Sequence, residues 1–193
     1  MKKVTIGMPS MGTIKTFTLA SLINLIGYEQ TPMQFSLPNH TYVHEARRIC
    51  VEEAISNGSS HLMFIDADMA FKPDVITKLA SHRKMVVGAN YNERRLPLQS
   101  TIKFRENGKT VPKPAEEFPR QLFKCYAVPT GMMLIDLRVF EKLPKPWFGF
   151  SYFEDGRMDY GEDVYFCDLV QKAGYDVWCD PTIEVRHIGD YGY

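Results

Sequence analysis

The chain contains the stretch His61-Leu62-Met63-Phe64-Ile65-Asp66-Ala67-Asp68, in which an apolar run leads directly into two carboxylates. An apolar run of this length is typical of a strand that is buried on both faces of a parallel sheet. Its carboxyl end, where the acids lie, faces the ligand crevice in open α/β sheets. Because positions two apart on an extended strand point the same way, Asp66 and Asp68 can approach one divalent cation. Carboxylate oxygens suit Mg²⁺ or Mn²⁺, although a polar loop after a strand gives the same pattern.

Strand-like and helix-like segments alternate on both sides of this stretch. We expect strands at 4–8, 33–37, 85–89, 175–179 and 183–187, and helices at 13–27, 43–56, from 73 onward and at 163–173. The order strand, helix, strand, helix, strand, helix, strand predicts βαβ units. The expected fold is therefore an α/β fold with a mostly parallel sheet flanked by helices.

Residues 92–119 interrupt this alternation. The segment is polar and contains four prolines, and Asn107-Gly108 is a typical hairpin turn. We expect a partly mobile surface insert that can act as a flap on the acceptor side. No linker or repeat divides the rest of the sequence, so residues 1–193 are predicted to form a single domain.

The composition restricts the class of protein. The formal net charge of the 193 residues is zero, which argues against a nucleic-acid binder. The four cysteines lie far apart in the sequence, which indicates reduced thiols in a cytosolic protein. Neither a signal peptide nor an apolar run that could span a bilayer is found, so a soluble, cytoplasmic protein without a transmembrane segment is expected.

Four further features could take part in chemistry, and each also has a plain structural explanation. Glu162-Asp163 opens a helix, where acids often cap the backbone, but one of the two can face a cleft as a general base. His187 follows a strand, although a lone histidine is usually structural. Gly131 lies in a turn where a substrate could approach the backbone. Arg47 could contact a diphosphate or simply lie on a solvated helix face.

The order of these motifs resembles that of the nucleotide-sugar glycosyltransferases of the GT-A fold, close to the family-2-like group. The matching motifs are Asp66-Ala67-Asp68, Gly131, Glu162-Asp163 and His187, in that order. In addition, Ile6-Gly7-Met8-Pro9-Ser10 resembles the nucleotide-contacting loop of that family, and Ala46-Arg47 resembles its Ala-Arg helix motif. The resemblance covers nearly the whole chain outside residues 92–119.

The resemblance implies a metal-dependent glycosyltransferase that moves a sugar from a nucleoside-diphosphate sugar, of UDP or GDP type, to the hydroxyl of a glycan or other acceptor. Asp68 and His187 would bind Mn²⁺ or Mg²⁺, with Asp66 contacting the ribose or the metal through water. The implied nucleotide and donor contacts are Pro9, Ser10, Arg47, Ala67, Gly131 and Arg94 or Arg95. Glu162 and Trp147 would contact the acceptor. The family pattern assigns the base of an inverting transfer to Asp163. If Asp68 and His187 bind the same metal ion, their side chains should lie close together in the structure.

Two other functions stay open from the sequence. A sugar-phosphate nucleotidyltransferase also uses acids and a metal, but Pro9-Ser10-Met11-Gly12 is a poor match to its basic, glycine-rich phosphate loop. A non-catalytic module that binds a nucleotide sugar would not need intact acids and a histidine. Ser36-Leu37-Pro38-Asn39 replaces the acidic turn of many relatives, which leaves the identity of the nucleotide open.

Overall fold

The computed structural model describes residues 1–94, 97–107 and 109–189. In this part of the chain the strands are β1 Val4–Gly7, β2 Met33–Ser36, β3 His61–Ile65, β4 Met69–Phe71, β5 Val86–Ala89, β6 Lys103–Glu106, β7 Lys109–Pro112, β8 Phe123–Cys125, β9 Met132–Asp136, β10 Ser151–Tyr152, β11 Met158–Tyr160, β12 Val177–Asp180 and β13 Val185–His187. The α-helices are α1 Thr16–Tyr28, α2 Val43–Ser56, α3 Val75–Ser81 and α4 Glu162–Lys172, and 3₁₀ turns occupy Ala115–Glu117 and Leu137–Glu141.

A central sheet organises the molecule, with strand order β2-β1-β3-β9-β5-β12-β8. Strands β2, β1 and β3 pair in parallel, as do β5 and β12. Strand β9 lies between β3 and β5 and is antiparallel to both, and β8 is antiparallel to β12. The expected mixed α/β fold, with a mostly parallel sheet flanked by helices, is confirmed. The reversed strand β9 in its middle is a feature that the sequence analysis did not predict.

The two faces of the sheet bury separate apolar clusters, and β3 contributes to both. Leu62 and Phe64 point into the cluster that contains residues of α2 and α4. Met63 and Ile65 point into the cluster that contains residues of α1 and α3. All four side chains are fully buried. The apolar run of this strand therefore reflects burial on both faces, as the sequence predicts.

The insert at 92–119 contains the predicted hairpin, because β6 and β7 pair in antiparallel register. Asn107 adopts a positive φ in the turn, and Gly108 lies outside the described residues. Part of the insert is not a surface element, however. Ile102 is fully buried, and the ring of Phe104 stacks on that of Phe123 with centroids 6.0 Å apart. These two apolar side chains anchor the hairpin to the core, which the polar composition of the segment concealed.

A small two-stranded sheet beside the central one joins distant parts of the chain. Strand β4 pairs antiparallel with β13, and His187 lies opposite Met69 in this register. The backbone N–H of Ile188 also donates to the carbonyl of Asp68, at 2.7 Å. This pairing places the segment around His187 against the residues that follow β3.

Two further observations bear on the class of protein. None of the helices in the described part of the chain has the length and apolar character that crossing a bilayer requires. Cys50, Cys125, Cys167 and Cys179 are buried and form no disulfide. The four cysteines therefore act as small apolar core residues.

Candidate active site

The candidate site lies where β1, β3 and β5 end and β9 begins. Parallel strands β1 and β3 present their carboxyl ends at one edge of the sheet, and the reversed β9 brings Gly131 to the same edge. The N–H of Asp66 donates to the carbonyl of Gly131 at 3.1 Å. A cavity of about 510 Å³ opens there. Among its lining residues are Pro9, Ser10, Arg47, Asp66, Ala67, Asp68, Arg94 and His187, eight of the residues that the sequence singled out.

Asp68 and His187 lie together at this cavity, as the sequence predicts. His187 Nε2 is 3.3 Å from Asp68 Oδ2, and both side chains are largely buried. Burial alone would raise the pKa of Asp68, but the hydrogen bond and charge of His187 and the charge of Arg94 lower it. The carboxylate is therefore held in its ionised form.

The orientation of His187 suits a metal ligand. Its Nδ1 lies 3.2 Å from the carbonyl oxygen of Asn92, and its ring packs edge-on against Tyr91 with centroids 5.3 Å apart. A proton on Nδ1, donated to the carbonyl of Asn92, would leave the lone pair of Nε2 for a cation that replaces the hydrogen bond to Asp68. A carbonyl that fixes the remote ring nitrogen is the usual support of a metal-binding histidine. A cation between Nε2 and the carboxylate would satisfy both groups.

The protein supplies few ligands for such a cation. In residues 1–94, 97–107 and 109–189, no group of three or more His, Cys, Asp or Glu side chains is arranged to hold a metal. Mg²⁺ is commonly bound by one or two protein ligands, with water and substrate phosphates completing its shell. The pair Asp68 and His187 therefore fits an ion that binds together with a phosphate-bearing ligand.

Arg94 already provides a positive charge at this point. Its Nη1 lies 3.0 Å from Asp68 Oδ2, the same oxygen that faces His187, and the side chain is half exposed. Because the guanidinium is carried on a long side chain, it can leave Asp68 for a phosphate oxygen. Arg95, which the sequence analysis named with Arg94, lies outside the described residues.

Arg47 connects the two acidic motifs. Its Nη2 donates to Asp66 Oδ1 at 3.2 Å and its Nε donates to Glu162 Oε1 at 3.1 Å. Burial opposes its charge, but these two carboxylates outweigh burial and raise the pKa of Arg47. Its Nη1 is buried and has no hydrogen-bond partner among the described residues. A buried donor left unpaired costs free energy, and an acceptor that reaches Nη1 from the cavity would recover this cost.

Gly131 has a packing role that its place in a loop did not reveal. A Cβ on Gly131 would lie 2.3 Å from the hydroxyl of Tyr91 and 2.7 Å from Asp66 Oδ2. Tyr91 is buried, and its burial and the nearby charges of Asp66 and Asp163 raise the pKa of its phenol. The phenol thus stays protonated between these acids. Glycine at position 131 leaves the space that Tyr91 and Asp66 occupy.

Glu162 and Asp163 point to different partners at the start of α4. Glu162 binds Arg47 and does not cap the helix, whereas Asp163 Oδ1 accepts the N–H of Val164 at 2.7 Å. Burial and the neighbouring charge of Glu162 raise the pKa of Asp163 to about 6. Neither acid lines the cavity, but Glu162 is joined to it through Arg47. Asp163 is therefore a carboxylate that can exchange a proton near neutral pH.

Solved structures with a similar fold include the following two. The structure of A197 from STIV superposes with a TM-score of 0.65 at 17% sequence identity, covering 98% of this chain and 87% of that one. The structure of GalNAc-T7 with UDP, GalNAc and Mn²⁺ superposes with a TM-score of 0.54 at 11% identity, covering 97% of this chain. The fold is GT-A-like. The chain spans 44% of the GalNAc-T7 structure, less than half of its length. No protein-family model matches the sequence, and no curated protein matches it.

Trp147 does not line this cavity, contrary to the expected contact with an acceptor. The residue is buried, its ring packs edge-on against Phe140 at 5.0 Å, and its indole N–H donates to the carbonyl of Leu143. It borders a different cavity of about 700 Å³, which includes His61 at the opposite end of β3. The aromatic, proline-rich segment around Trp147 covers the core instead of presenting a face to a sugar.

Sequence reasoning missed two residues that shape the site. Tyr91 and Asn92 follow β5, and they support His187 through its ring and its Nδ1. Their position just beyond the carboxyl end of a buried strand was the available signal, since such ends face the crevice in α/β sheets. Neither residue type suggested a role by itself.

Proposed function

We propose that the protein is a metal-dependent, family-2-like glycosyltransferase that takes a sugar from a UDP- or GDP-type donor and transfers it to an acceptor hydroxyl with inversion. The observation that carries this proposal is the convergence of Asp68, His187, Arg47 and Arg94 on one cavity at the carboxyl ends of the strands. Two features of this cavity favour a diphosphate with its cation over a neutral ligand. They are the pair of Asp68 and His187 and the unpaired guanidinium donor of Arg47.

Asp68 and His187 would hold Mn²⁺ or Mg²⁺, and Asp66 would contact the ribose or a water on the metal. When bound, the cation neutralises negative charge on the leaving diphosphate. Arg94 is then free to bind a phosphate oxygen, because the cation takes the place of its guanidinium at Asp68. The Nη1 donor of Arg47 is available to the same ligand while its other nitrogens hold Asp66 and Glu162.

The loop after β1 would cover the nucleotide. Pro9 and Ser10 line the cavity, and the N–H of Lys15 donates to the carbonyl of Ala67 at 2.9 Å. This bond fixes the loop against the backbone between the two acids of the Asp-Ala-Asp motif. Gly131, which packs against Asp66, would border the donor sugar through the backbone.

Asp163 would act as the general base, with Glu162 on the acceptor side. A base must be ionised before the reaction, and a pKa of about 6 leaves Asp163 mostly ionised at neutral pH. The metal-side acids Asp66 and Asp68 would be committed to the donor and Glu162 is paired with Arg47, so the resemblance and this pairing both favour Asp163 as the acceptor of the proton from the attacking hydroxyl. We further propose that residues 1–193 form one domain with 92–119 as an acceptor-side flap, and that the protein works in the cytoplasm.

A panel of UDP- and GDP-sugars incubated with Mn²⁺ tests the function. Slow release of a nucleoside diphosphate supports glycosyl transfer, with water replacing the missing acceptor. Release or consumption of pyrophosphate would instead support a nucleotidyltransferase. Binding of a donor without any turnover, with acceptors of several classes supplied, would indicate a binding module and contradict the proposal.

A further inference from the structure

The lining of the candidate cavity changes in character between β3 and β2. Its residues that take part in ion pairs include Arg47, Asp66, Asp68, Arg94 and His187. The polar residues that the loops after β1 and β2 contribute include Ser10, Thr13, His40 and Thr41, with hydroxyl groups and one imidazole. Lys15 also lines the cavity, but its backbone N–H is bonded to Ala67, on the β3 side. A diphosphate suits the charged residues, whereas an aromatic base that needs directional hydrogen bonds suits the others.

The strand order separates these two parts of the cavity. Strands β2 and β3 lie on opposite sides of β1, so the loops that follow them begin two strand spacings apart, about 10 Å. The N–H of Ser10 donates to the carbonyl of Pro38, and the N–H of His40 donates to the carbonyl of Ser10, both at 3.3 Å. These bonds hold His40 beside Ser10, at the ends of β1 and β2. The spacing leaves room for a ribose between a diphosphate at Asp68 and a base at His40.

The imidazole of His40 offers one hydrogen-bonding group to this cavity. The backbone N–H of Tyr42 donates to its Nδ1 at 3.1 Å, so the proton of the neutral ring lies on Nε2. The rings of the two residues also lie close together, with centroids 5.9 Å apart, which restrains the orientation of the imidazole. Its Nε2 has no hydrogen-bond partner in the part of the chain that the structure describes. The group available to a ligand is therefore an N–H donor.

We propose that His40 selects the base of the nucleotide, with its Nε2–H donating to an exocyclic carbonyl, either O4 of uracil or O6 of guanine. Cytosine and adenine carry an amino group at the corresponding position, which would bring two donors together. A site that hydrogen-bonds one group discriminates against the analogue that leaves its donor unpaired. The inference rests on the proposed function and deepens it, since it ranks UDP above CDP and GDP above ADP at the same site.

Isothermal titration of UDP, CDP, GDP and ADP in the presence of Mn²⁺ tests the proposal. UDP and CDP are a matched pair with the same size of base, as are GDP and ADP. We expect the wild type to bind the carbonyl-bearing member of at least one pair about tenfold more tightly, because one hydrogen bond is exchanged for an unpaired donor. His40→Phe keeps a ring beside Tyr42 but has no N–H, so its preference should fall below about threefold.

The variant His44→Phe is the matched control for this experiment. The ring of His44 also contacts that of Tyr42, with centroids 5.9 Å apart, but His44 does not line the cavity. We expect His44→Phe to keep the preference of the wild type. Equal binding of the carbonyl and amino nucleotides by the wild type contradicts the proposal. So does a preference that His40→Phe retains, or one that both variants lose equally.

Failure of this inference differs from failure of the proposed function. If none of the four nucleotides binds, both fail, whereas Mn²⁺-dependent binding without a preference removes only the selection by His40. A measurement without nucleotide gives an independent test of the same residue. Long-range ¹H–¹⁵N NMR of the ligand-free protein should find the imidazole proton of His40 on Nε2. A proton on Nδ1 would make Nε2 an acceptor and overturn the proposal.

Discussion

Replacing Gly131 by alanine tests whether the close packing of Tyr91 and Asp66 requires a glycine at this position. Gly131 does not have a positive φ, so its backbone conformation is open to alanine and space is the obstacle. The new Cβ would lie 2.3 Å from Tyr91 Oη, 2.7 Å from Asp66 Oδ2 and 2.8 Å from Met69 Cε. The flexible end of the Met69 side chain can move away from the new Cβ, whereas contacts on several sides keep Tyr91 and Asp66 in place. Overpacking of this kind typically costs about 1–3 kcal/mol.

The expected loss can be measured by thermal unfolding. For a chain of this length, about 1–3 kcal/mol corresponds to a Tm lower by about 2–12 °C. Gly27→Ala is the control, because a Cβ there meets nothing within 4 Å and alanine favours the helix. We expect Gly27→Ala to leave Tm unchanged or slightly higher.

A double variant identifies the obstructing atom. Tyr91→Phe removes the hydroxyl that the new Cβ would meet, so Gly131→Ala should cost at least about 0.5 kcal/mol less in the Tyr91→Phe background than in the wild type. If Gly131→Ala is as stable as the wild type, or if Tyr91→Phe brings no relief, the packing explanation is wrong. Normal stability with lost donor binding would instead indicate a direct contact of Gly131 with the sugar.

Three further predictions concern the chemistry and the insert. Asp163→Asn should lower turnover by ~10²–10⁴-fold and leave donor binding nearly unchanged. In the wild type, turnover should rise with pH through about 6, because Asp163 loses its proton there. Near-normal turnover of the variant, or a product that keeps the anomeric configuration of the donor, would refute the assignment of Asp163 as the base. Arg94→Ala should weaken binding of UDP or GDP. It should strengthen binding of Mn²⁺ alone, measured by electron paramagnetic resonance, because Asp68 loses the guanidinium that competes with the metal. Weaker Mn²⁺ binding in the variant would contradict this competition. In hydrogen exchange, the described insert residues 109–119 should exchange faster than β3 and slow when ligand binds, and uniformly strong protection without ligand would rule out a flap.

Local patterns predicted those elements that are determined by local burial. The apolar run of β3 is buried on both faces, and α2 spans the predicted residues 43–56. The position of Asp66 and Asp68 at a strand end follows from the same pattern. These elements could be found because each carries its own periodicity and its own stop signal.

Long-range pairing could not be predicted in this way. Strand β9 runs antiparallel between β3 and β5, and β13 pairs with β4 although the two strands are far apart in the sequence. No local signal specifies such partners. The proximity of His187 to Asp68 was therefore expected from the order of motifs, whereas the structure shows that the pairing of β13 with β4 produces it.

Side-chain surroundings were the least predictable part. Trp147 was expected at the acceptor side, but aromatic residues next to prolines look alike whether they cover a core or a binding face. Arg47 showed no sign in the sequence that it would be buried between Asp66 and Glu162. Such contacts depend on which helices pack over which strands.

The proposed function requires Asp68 and His187 to hold a metal together with a nucleoside diphosphate. Isothermal titration of UDP and GDP with and without Mn²⁺ tests this requirement in the wild type, in His187→Ala and in the control His61→Ala, whose histidine lies at the opposite end of β3. We predict that Mn²⁺ strengthens binding of one nucleotide in the wild type and in His61→Ala but not in His187→Ala. Nucleotide binding that is independent of Mn²⁺ in the wild type, or equally dependent on Mn²⁺ in His187→Ala, would show that Asp68 and His187 do not hold the metal.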